Sequence, residues 1–205
     1  MTINSKHTIF TAIIIFFLIC CFTPFSFSKG IAEKDTTEHE QLIVYKTVQY
    51  LKAKKTGATD EKLRTIANSV YSESQKYAID YRLVLAVMKV ESNFKNEAIS
   101  RKGARGLLQI KPSLAKYISK DTGIEIEKAT VLHEPEKNIK IGVNYLSKLI
   151  DMFENLTSAL HAYNAGPTKA KKTSAVTPVS STRFTRKVMN EYEQIVEILP
   201  DPITK

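Results

Sequence analysis

At 205 residues the chain is long enough for one domain with a small appendage. Its composition, 43% hydrophobic and 25% charged with 7 Gly and 7 Pro, excludes a collagen-like, low-complexity or wholly disordered protein. A formal charge of +9, from 30 Lys and Arg against 21 Asp and Glu, favours an anionic partner: nucleic acid, a membrane surface or a cell-wall polymer. The 2 cysteines, Cys20 and Cys21, share one N-terminal apolar run. The body of the chain therefore has no disulfide framework, no CxxC metal knuckle and no cysteine nucleophile.

Residues 1–28 choose among the anionic partners. Lys6 precedes a charge-free run from Ile9 to Phe22, small residues follow at Ser26 and Ser28, and charge resumes at Lys29. This order spells a secretory signal cleaved after Ser28. The alternative is an uncleaved inner-membrane anchor, for which the run is short of the ~20 residues a spanning helix needs. Export argues against nucleic acid and for the envelope, or periplasm, as the location.

Residues 29–37 are polar and read as loose. A helix is expected from Glu38 to Lys55, with Val44, Val48 and Leu51 on one face and Gly57 as its stop. Its Tyr45, Tyr50 and Leu51 surface either packs on the core or docks a partner, with packing preferred. Thr59-Asp60 caps a second helix, in which Leu63, Ile66, Ala67, Val70 and Tyr77 recur at helical spacing. Asp80 caps a third, whose stretch Leu83 to Val90 is apolar nearly all round and belongs at the centre of the fold. Pro112 to Ser119 is a short helix, and Ile124-Glu125-Ile126 is the one strand candidate. Pro135 opens a longer helix with Ile139, Val143, Leu146, Ile150 and Phe153 in three- and four-residue steps. Asn155 caps Leu156 to Asn164, which Gly166-Pro167 closes. Residues 167–183 lack helical period and read as a long loop. A last helix runs through Val188, Tyr192, Ile195 and Leu199 to Pro200. The fold class is all-α, with seven or eight helices.

Glu91 is the residue whose chemistry stands out. It ends the most apolar helix, where ionising a carboxylate is costly, so its pKa should rise toward that of a general acid at neutral pH. Residues 98–120 and 155–190 carry no Asp or Glu, and glycines at 103 and 106 allow close backbone approach to a ligand. Gln109, Tyr163 and Asn164 are neutral groups of the sort that line sugar sites. An ordinary glycosidase needs two carboxylates flanking the bond, whereas here one is conspicuous and Glu97 is a distant second. No HExxH pair exists, so His133 and His161 read as a loop and a helix-face histidine, and neither a metal nor a cofactor is implied. The basic stretch Lys169 to Lys172 is either solvated or steers an anionic polymer.

Four segments then form a pattern. Glu91-Ser92-Asn93-Phe94 and Ser100-x-x-Gly103-Ala104-x-Gly106-Leu107-Leu108-Gln109-Ile110-x-Pro112 are followed by Pro135-x-x-Asn138-Ile139-x-x-Gly142-x-x-Tyr145-Leu146 and Ala162-Tyr163-Asn164-Ala165-Gly166-Pro167. In that order the chain resembles the soluble lytic transglycosylase family, family 1, over roughly residues 75–199. The resemblance implies a lysozyme-like helical domain with a groove for the glycan strand of peptidoglycan, preceded here by an extra N-terminal helix. It divides the chain into a signal (1–28), linker and helices (29–74), a catalytic domain (75–199) and a tail (200–205).

It implies that Glu91 is the single catalytic acid/base of a murein transglycosylase. Glu91 would protonate the glycosidic oxygen between N-acetylmuramic acid and N-acetylglucosamine, with the substrate's N-acetyl group assisting at the anomeric carbon. It would then take the proton of the muramoyl 6-hydroxyl as a 1,6-anhydro ring closes. By the same resemblance Ser100 arranges the sugar, and Leu108, Gln109, Tyr163 and Asn164 line the substrate, with Leu108 in place of the usual methionine. Lys111 and Leu114 are mild departures. Ser180-Ser181-Thr182-Arg183-Phe184 stands where the family commonly has Glu-Thr-x-x-Tyr, a larger one. A monomer is expected, with an envelope-spanning secretion or assembly machine as the candidate partner. Two other readings stay open: a muramidase that activates water with Glu97 or Asp121, and a non-catalytic glycan-binding or assembly protein on the same fold.

Overall fold

The computed structural model describes residues 24–153, 155–176 and 182–202. Among them are eight α-helices and one 3₁₀ turn: α1 (Pro24–Ala53), α2 (Asp60–Lys76), α3 (Tyr81–Ser92), α4 (Pro112–Thr122), the 3₁₀ turn (Ala129–His133), α5 (Pro135–Met152), α6 (Leu156–Ala165), α7 (Pro167–Val176) and α8 (Arg183–Val196). The apolar run from Ile9 to Phe22 lies outside the described residues. The chain divides into two compact units, Met1–Gln41 with Lys205, and Leu42–Thr204. The first unit contributes the opening turns of α1 to the described structure, and the second holds all the remaining helices.

Local signals set the helix boundaries. Thr59 accepts a hydrogen bond from the Lys62 amide at the start of α2, Asp80 from Arg82 at α3, and Asn155 from Ser158 at α6. Each satisfies one of the amides a helix start leaves free. Proline opens α4 and α5 at the first turn, where its missing N–H costs nothing.

Three segments differ from the sequence expectation. Residues 29–37 are helical within α1 rather than loose; they extend a helix already nucleated at 38–53, where each added residue gains a bond without the cost of a new nucleus. Residues 167–176 form α7 rather than a loop. Pro167 presets the first turn, and Ala170 is buried against Leu149, Ala159 and Ala162. The rest of that predicted loop, 177–181, lies outside the described residues. Ile124-Glu125-Ile126 pairs with no strand; the bridges among the described residues are the isolated pairs Ile99–Arg105 and Arg105–Ile110.

Helix α3 is the centre of the second unit. Tyr81 to Met88 are all buried, the arrangement expected of a helix apolar on every side. It packs on α8 and α2, while α5 packs on α2, α4 and α6. Within α1, Ile43, Val48, Tyr50 and Leu51 are buried and Tyr45 is exposed, so the expected packing face is Tyr50 and Leu51 without Tyr45.

The N-terminal turn of α3 is fastened to the end of the chain. Arg82, buried to within 6% of its surface, donates to both Asp80 oxygens and to Asp201 Oδ1 at 2.7 Å. The Tyr192 hydroxyl donates to Asp80 Oδ2 at 2.8 Å, and the Tyr81 hydroxyl to the Pro200 carbonyl at 2.7 Å. Asp80 thus caps α3, neutralises a buried guanidinium and anchors α8. Asp80→Ala should cost about 3 kcal/mol by the combined loss of cap and buried partner, read as a lower urea midpoint with an unchanged slope.

Candidate active site

Glu91 lies in the last turn of α3, half-buried, and burial pushes its carboxyl up from 4.5 to about 7. Its position at the negative end of the helix acts in the same direction. Among the described residues it makes no hydrogen bond or ion pair, and no other carboxylate contributes to the shift. Both candidates for a second carboxylate are accounted for otherwise: Asp121 pairs with Lys148 at 2.6 Å, and Glu97 is exposed.

The backbone turns sharply after Glu91. Asn93 and Phe94 have φ of 52° and 61°, a conformation costing L-residues about 1–2 kcal/mol each. Phe94 offsets that cost by complete burial, meeting the Tyr50 ring edge-on at 5.9 Å. Helix α1 therefore supports the turn that ends the Glu91 helix.

The loop from Ala98 to Ile110 is folded on itself. The Ala98 carbonyl accepts from the Gly106 amide at 3.0 Å and from Gln109 Nε2 at 3.2 Å, and Ser100 Oγ accepts from the Ala104 amide at 3.0 Å. Gln109 Nε2 also donates to the Gly106 carbonyl at 2.9 Å. Gln109 thus spends its amide N–H groups within the loop. Gly106 does have a close approach, but to protein: a Cβ there would collide with Asn138 and the Leu132 carbonyl. Gly103 faces open space.

Asn138, fully buried on α5, holds this loop in place. Its Oδ1 accepts from the Leu108 amide at 2.8 Å, and its Nδ2 donates to the Arg105 and Leu132 carbonyls at 2.9 Å each. A second staple joins the same parts. Arg105 Nη1 donates to His133 Nε2 at 3.0 Å, which fixes the ring's proton on Nδ1, and that nitrogen donates to the Asn96 carbonyl at 3.2 Å.

Tyr163 completes the arrangement from α6. Its hydroxyl donates to the Leu108 carbonyl at 2.9 Å, and its ring lies 5.5 Å from that of Tyr145. Burial first, then the charges of Glu91 and Tyr145, push its phenol well above the usual range. Tyr163 therefore stands within electrostatic reach of Glu91 as a neutral group at every pH near 7. The four sequence segments meet here: Asn138 fixes Leu108, Leu108 receives Tyr163, and Tyr163 faces Glu91.

A profile of the transglycosylase SLT domain matches residues 68–184. The chain belongs to the SLT domain family. The membrane-bound lytic murein transglycosylase C of Edwardsiella ictaluri is 33% identical over 120 residues, covering 52% of this chain and 33% of the relative. The namesake protein of Salmonella arizonae is 33% identical over 117 residues, with 52% and 32% covered. The chain thus spans about a third of the length of these curated relatives. An inactive mutant of the lytic transglycosylase Slt from Pseudomonas aeruginosa superposes with a TM-score of 0.58 at 25% identity, covering 67% of this chain and 25% of that one. The 70 kDa soluble lytic transglycosylase of Escherichia coli gives 0.62 at 21%, covering 76% and 30%, a likeness of fold. The expected lysozyme-like, all-α SLT fold is therefore the observed one.

Within this SLT domain the sequence-predicted residues divide. Glu91 and Tyr163 come together, and Asn164 is exposed beside them on α6. Leu108 is 1% exposed and presses on Gly142, so it is a wall behind the site rather than a lining surface. Ser100 and Gln109 shape the loop. Part of the departure from the family pattern, Ser180 and Ser181, lies outside the described residues, whereas Thr182 caps α8 by accepting from the Thr185 amide. His161 is buried with neither ring nitrogen partnered. Among the described residues no group of His, Cys, Asp and Glu could hold a metal. The sequence reading assigned no role to Asn138 or His133, although a polar residue beside Ile139 on an otherwise apolar helix was the available signal for the first.

Two outcomes follow from this geometry. Asn138→Ala strands the Leu108 amide and the Leu132 carbonyl, while the Arg105 carbonyl keeps its bond from the Ile110 amide, and should cost about 3 kcal/mol or more; Asn138→Asp, which cannot donate, should fare little better, both read by urea denaturation. Because folding raises the Glu91 pKa, its contribution to stability is full below pH 4.5 and is lost as pH rises to about 7. Glu91→Gln should match the parent at pH 4 and exceed it on the order of 2 kcal/mol above pH 7, allowing for partial exposure. A 13C NMR titration of the Glu91 carboxyl with its midpoint near 4.5 would contradict the assignment.

Proposed function

We propose that this protein is a peptidoglycan lytic transglycosylase that cleaves the β-1,4 bond between N-acetylmuramic acid and N-acetylglucosamine, leaving 1,6-anhydro ends. The observation that carries this reading is a lone carboxyl, poised near pH 7, with no second carboxylate bearing on it. The names of the SLT relatives support the same substrate.

In the first step Glu91, protonated, gives its proton to the glycosidic oxygen as the anomeric carbon–oxygen bond breaks. The N-acetyl carbonyl oxygen of the substrate bonds to the anomeric carbon in place of a protein nucleophile. In the second step the muramoyl 6-hydroxyl displaces it, and its proton returns to the Glu91 carboxylate. One group serves as acid and then as base, and no water is consumed. Tyr163, neutral and tied to the Leu108 carbonyl, fixes one wall beside the acid. Asn164 and Ser100 offer polar contacts to the sugar. The reading has the chain exported by residues 1–28 to the envelope, where the glycan strand is.

A muramidase would need a carboxylate to activate water, and Asp121 is tied to Lys148 while Glu97 exerts no charge effect on Glu91. Mass spectrometry of muropeptides released from purified peptidoglycan decides between the two. Muramoyl ends one water lighter are expected, falling ~10²–10⁴-fold in rate with Glu91→Gln. Since the acid must start protonated, kcat/KM should decline as pH rises through about 7. Ordinary reducing ends that depend on Glu91 would make the enzyme a hydrolase, and no cleavage at all would make it a binding protein.

A further inference from the structure

One contact between the site loop and the 3₁₀ turn rests on a group that titrates. Arg105 has no ion pair among the described residues: its Nε is buried without a partner, and its Nη1 donates to His133 Nε2 at 3.0 Å. The other ring nitrogen donates to the Asn96 carbonyl, and Asn96 Nδ2 returns a bond to the His133 carbonyl at 3.4 Å. Of the other charged residues on these elements, Lys95, Glu97, Arg101, Lys102 and Glu136 are exposed, and Glu134 is paired with Lys137 at 2.7 Å. Among the described residues no carboxylate bonds to the imidazole.

The contact ties the Glu91 turn to the middle of the loop. Asn96 lies between that turn and Ala98, whose carbonyl takes the Gln109 amide, while Arg105 bridges both Ile99 and Ile110. Ser100 and Gln109 are carried on the segments so joined. A guanidinium has donors only, so the bond needs an Nε2 without a proton. An imidazolium carries a proton on both nitrogens; it cannot accept from Arg105 and confronts it with a like charge. Of the other side chains bonded to this loop, Asn138 does not titrate and Tyr163 is neutral near pH 7 and below.

We propose that Arg105 and His133 are positioning residues for the sugar-binding loop, which keeps its working shape only while the imidazole is neutral. This rests on the transglycosylase reading. There Glu91 starts protonated and recovers its proton within the cycle, so by itself it limits activity on the alkaline side alone. A loss of activity on the acid side then belongs to a second group, and His133 is the one that holds the loop. Because the pair acts on the loop and leaves Glu91 untouched, that loss falls on KM rather than kcat.

The test follows the full chain on purified peptidoglycan strands as a function of pH. In the parent, KM should rise about tenfold on the acid side, the worth of one hydrogen bond to a charged group, along the His133 titration read by 13C NMR. His133→Gln, whose amide oxygen still accepts from Arg105, should restore the neutral-pH KM and abolish the acid-side rise. His133→Leu should show the raised KM at every pH, with kcat little changed. A parent KM that stays flat across the His133 titration, or an equal acid-side rise in His133→Gln, would overturn the proposal. A second readout needs no turnover: the Gln109 side-chain amide NMR signal should track the His133 titration in the parent and stay fixed in His133→Gln. Tracking without any cleavage would sink the transglycosylase reading and leave the pair as the holder of the loop. Cleavage without tracking would sink the pair alone.

Discussion

The site depends on one buried amide. Asn138 reaches from α5 into a loop 30 residues earlier in the chain and satisfies the Leu108 N–H together with two carbonyls. The Leu108 amide lies in an irregular loop and the Leu132 carbonyl in the 3₁₀ turn, where Asn138 supplies their partner, and an unpaired buried group costs about 1–3 kcal/mol. With Leu108 fixed on its amide side, its carbonyl is aimed at Tyr163, and Tyr163 in turn borders Glu91. Gly106 and Gly142 are the steric counterpart, since each leaves room where Asn138 or Leu108 closes on the backbone.

The electrostatics of Glu91 follow from what surrounds it rather than from a partner. A carboxyl with an ion pair would be held ionised, and one beside a second carboxylate would share its proton. Glu91 has neither, so burial, seconded by the negative end of α3, sets its proton affinity near neutrality. In the proposed reaction that arrangement suits a group that gives up a proton and recovers it in one cycle, which would make the apolarity of α3 part of the chemistry.

Much of this was legible in the sequence because α3 is apolar on every face and ends in Glu91. The helices with a regular apolar stripe, α2, α5 and α8, were legible for the same reason, as were the caps at Thr59, Asp80 and Asn155. The opening of α1 and the whole of α7 were not, since their helicity owes little to a buried stripe. Within the site, spacing grouped the right segments but could not orient their side chains. Gln109 has a φ of 48°, which turns its amide back into the loop, and Leu108 points to the interior. The work of Asn138 was invisible because it is a contact across 30 residues that no local pattern encodes.

The fastening of α3 to the chain end also sets an order of assembly. Tyr81 and Arg82 find their partners at Pro200 and Asp201, 119 residues later. The central helix can therefore be closed off only once the residues as far along as Asp201 are available, and contacts of such separation form slowly. Until the segment holding Pro200 and Asp201 is in place, the Tyr81 hydroxyl lacks its acceptor and Arg82 one of its two carboxylates, so this seam is among the last parts of the second unit to close.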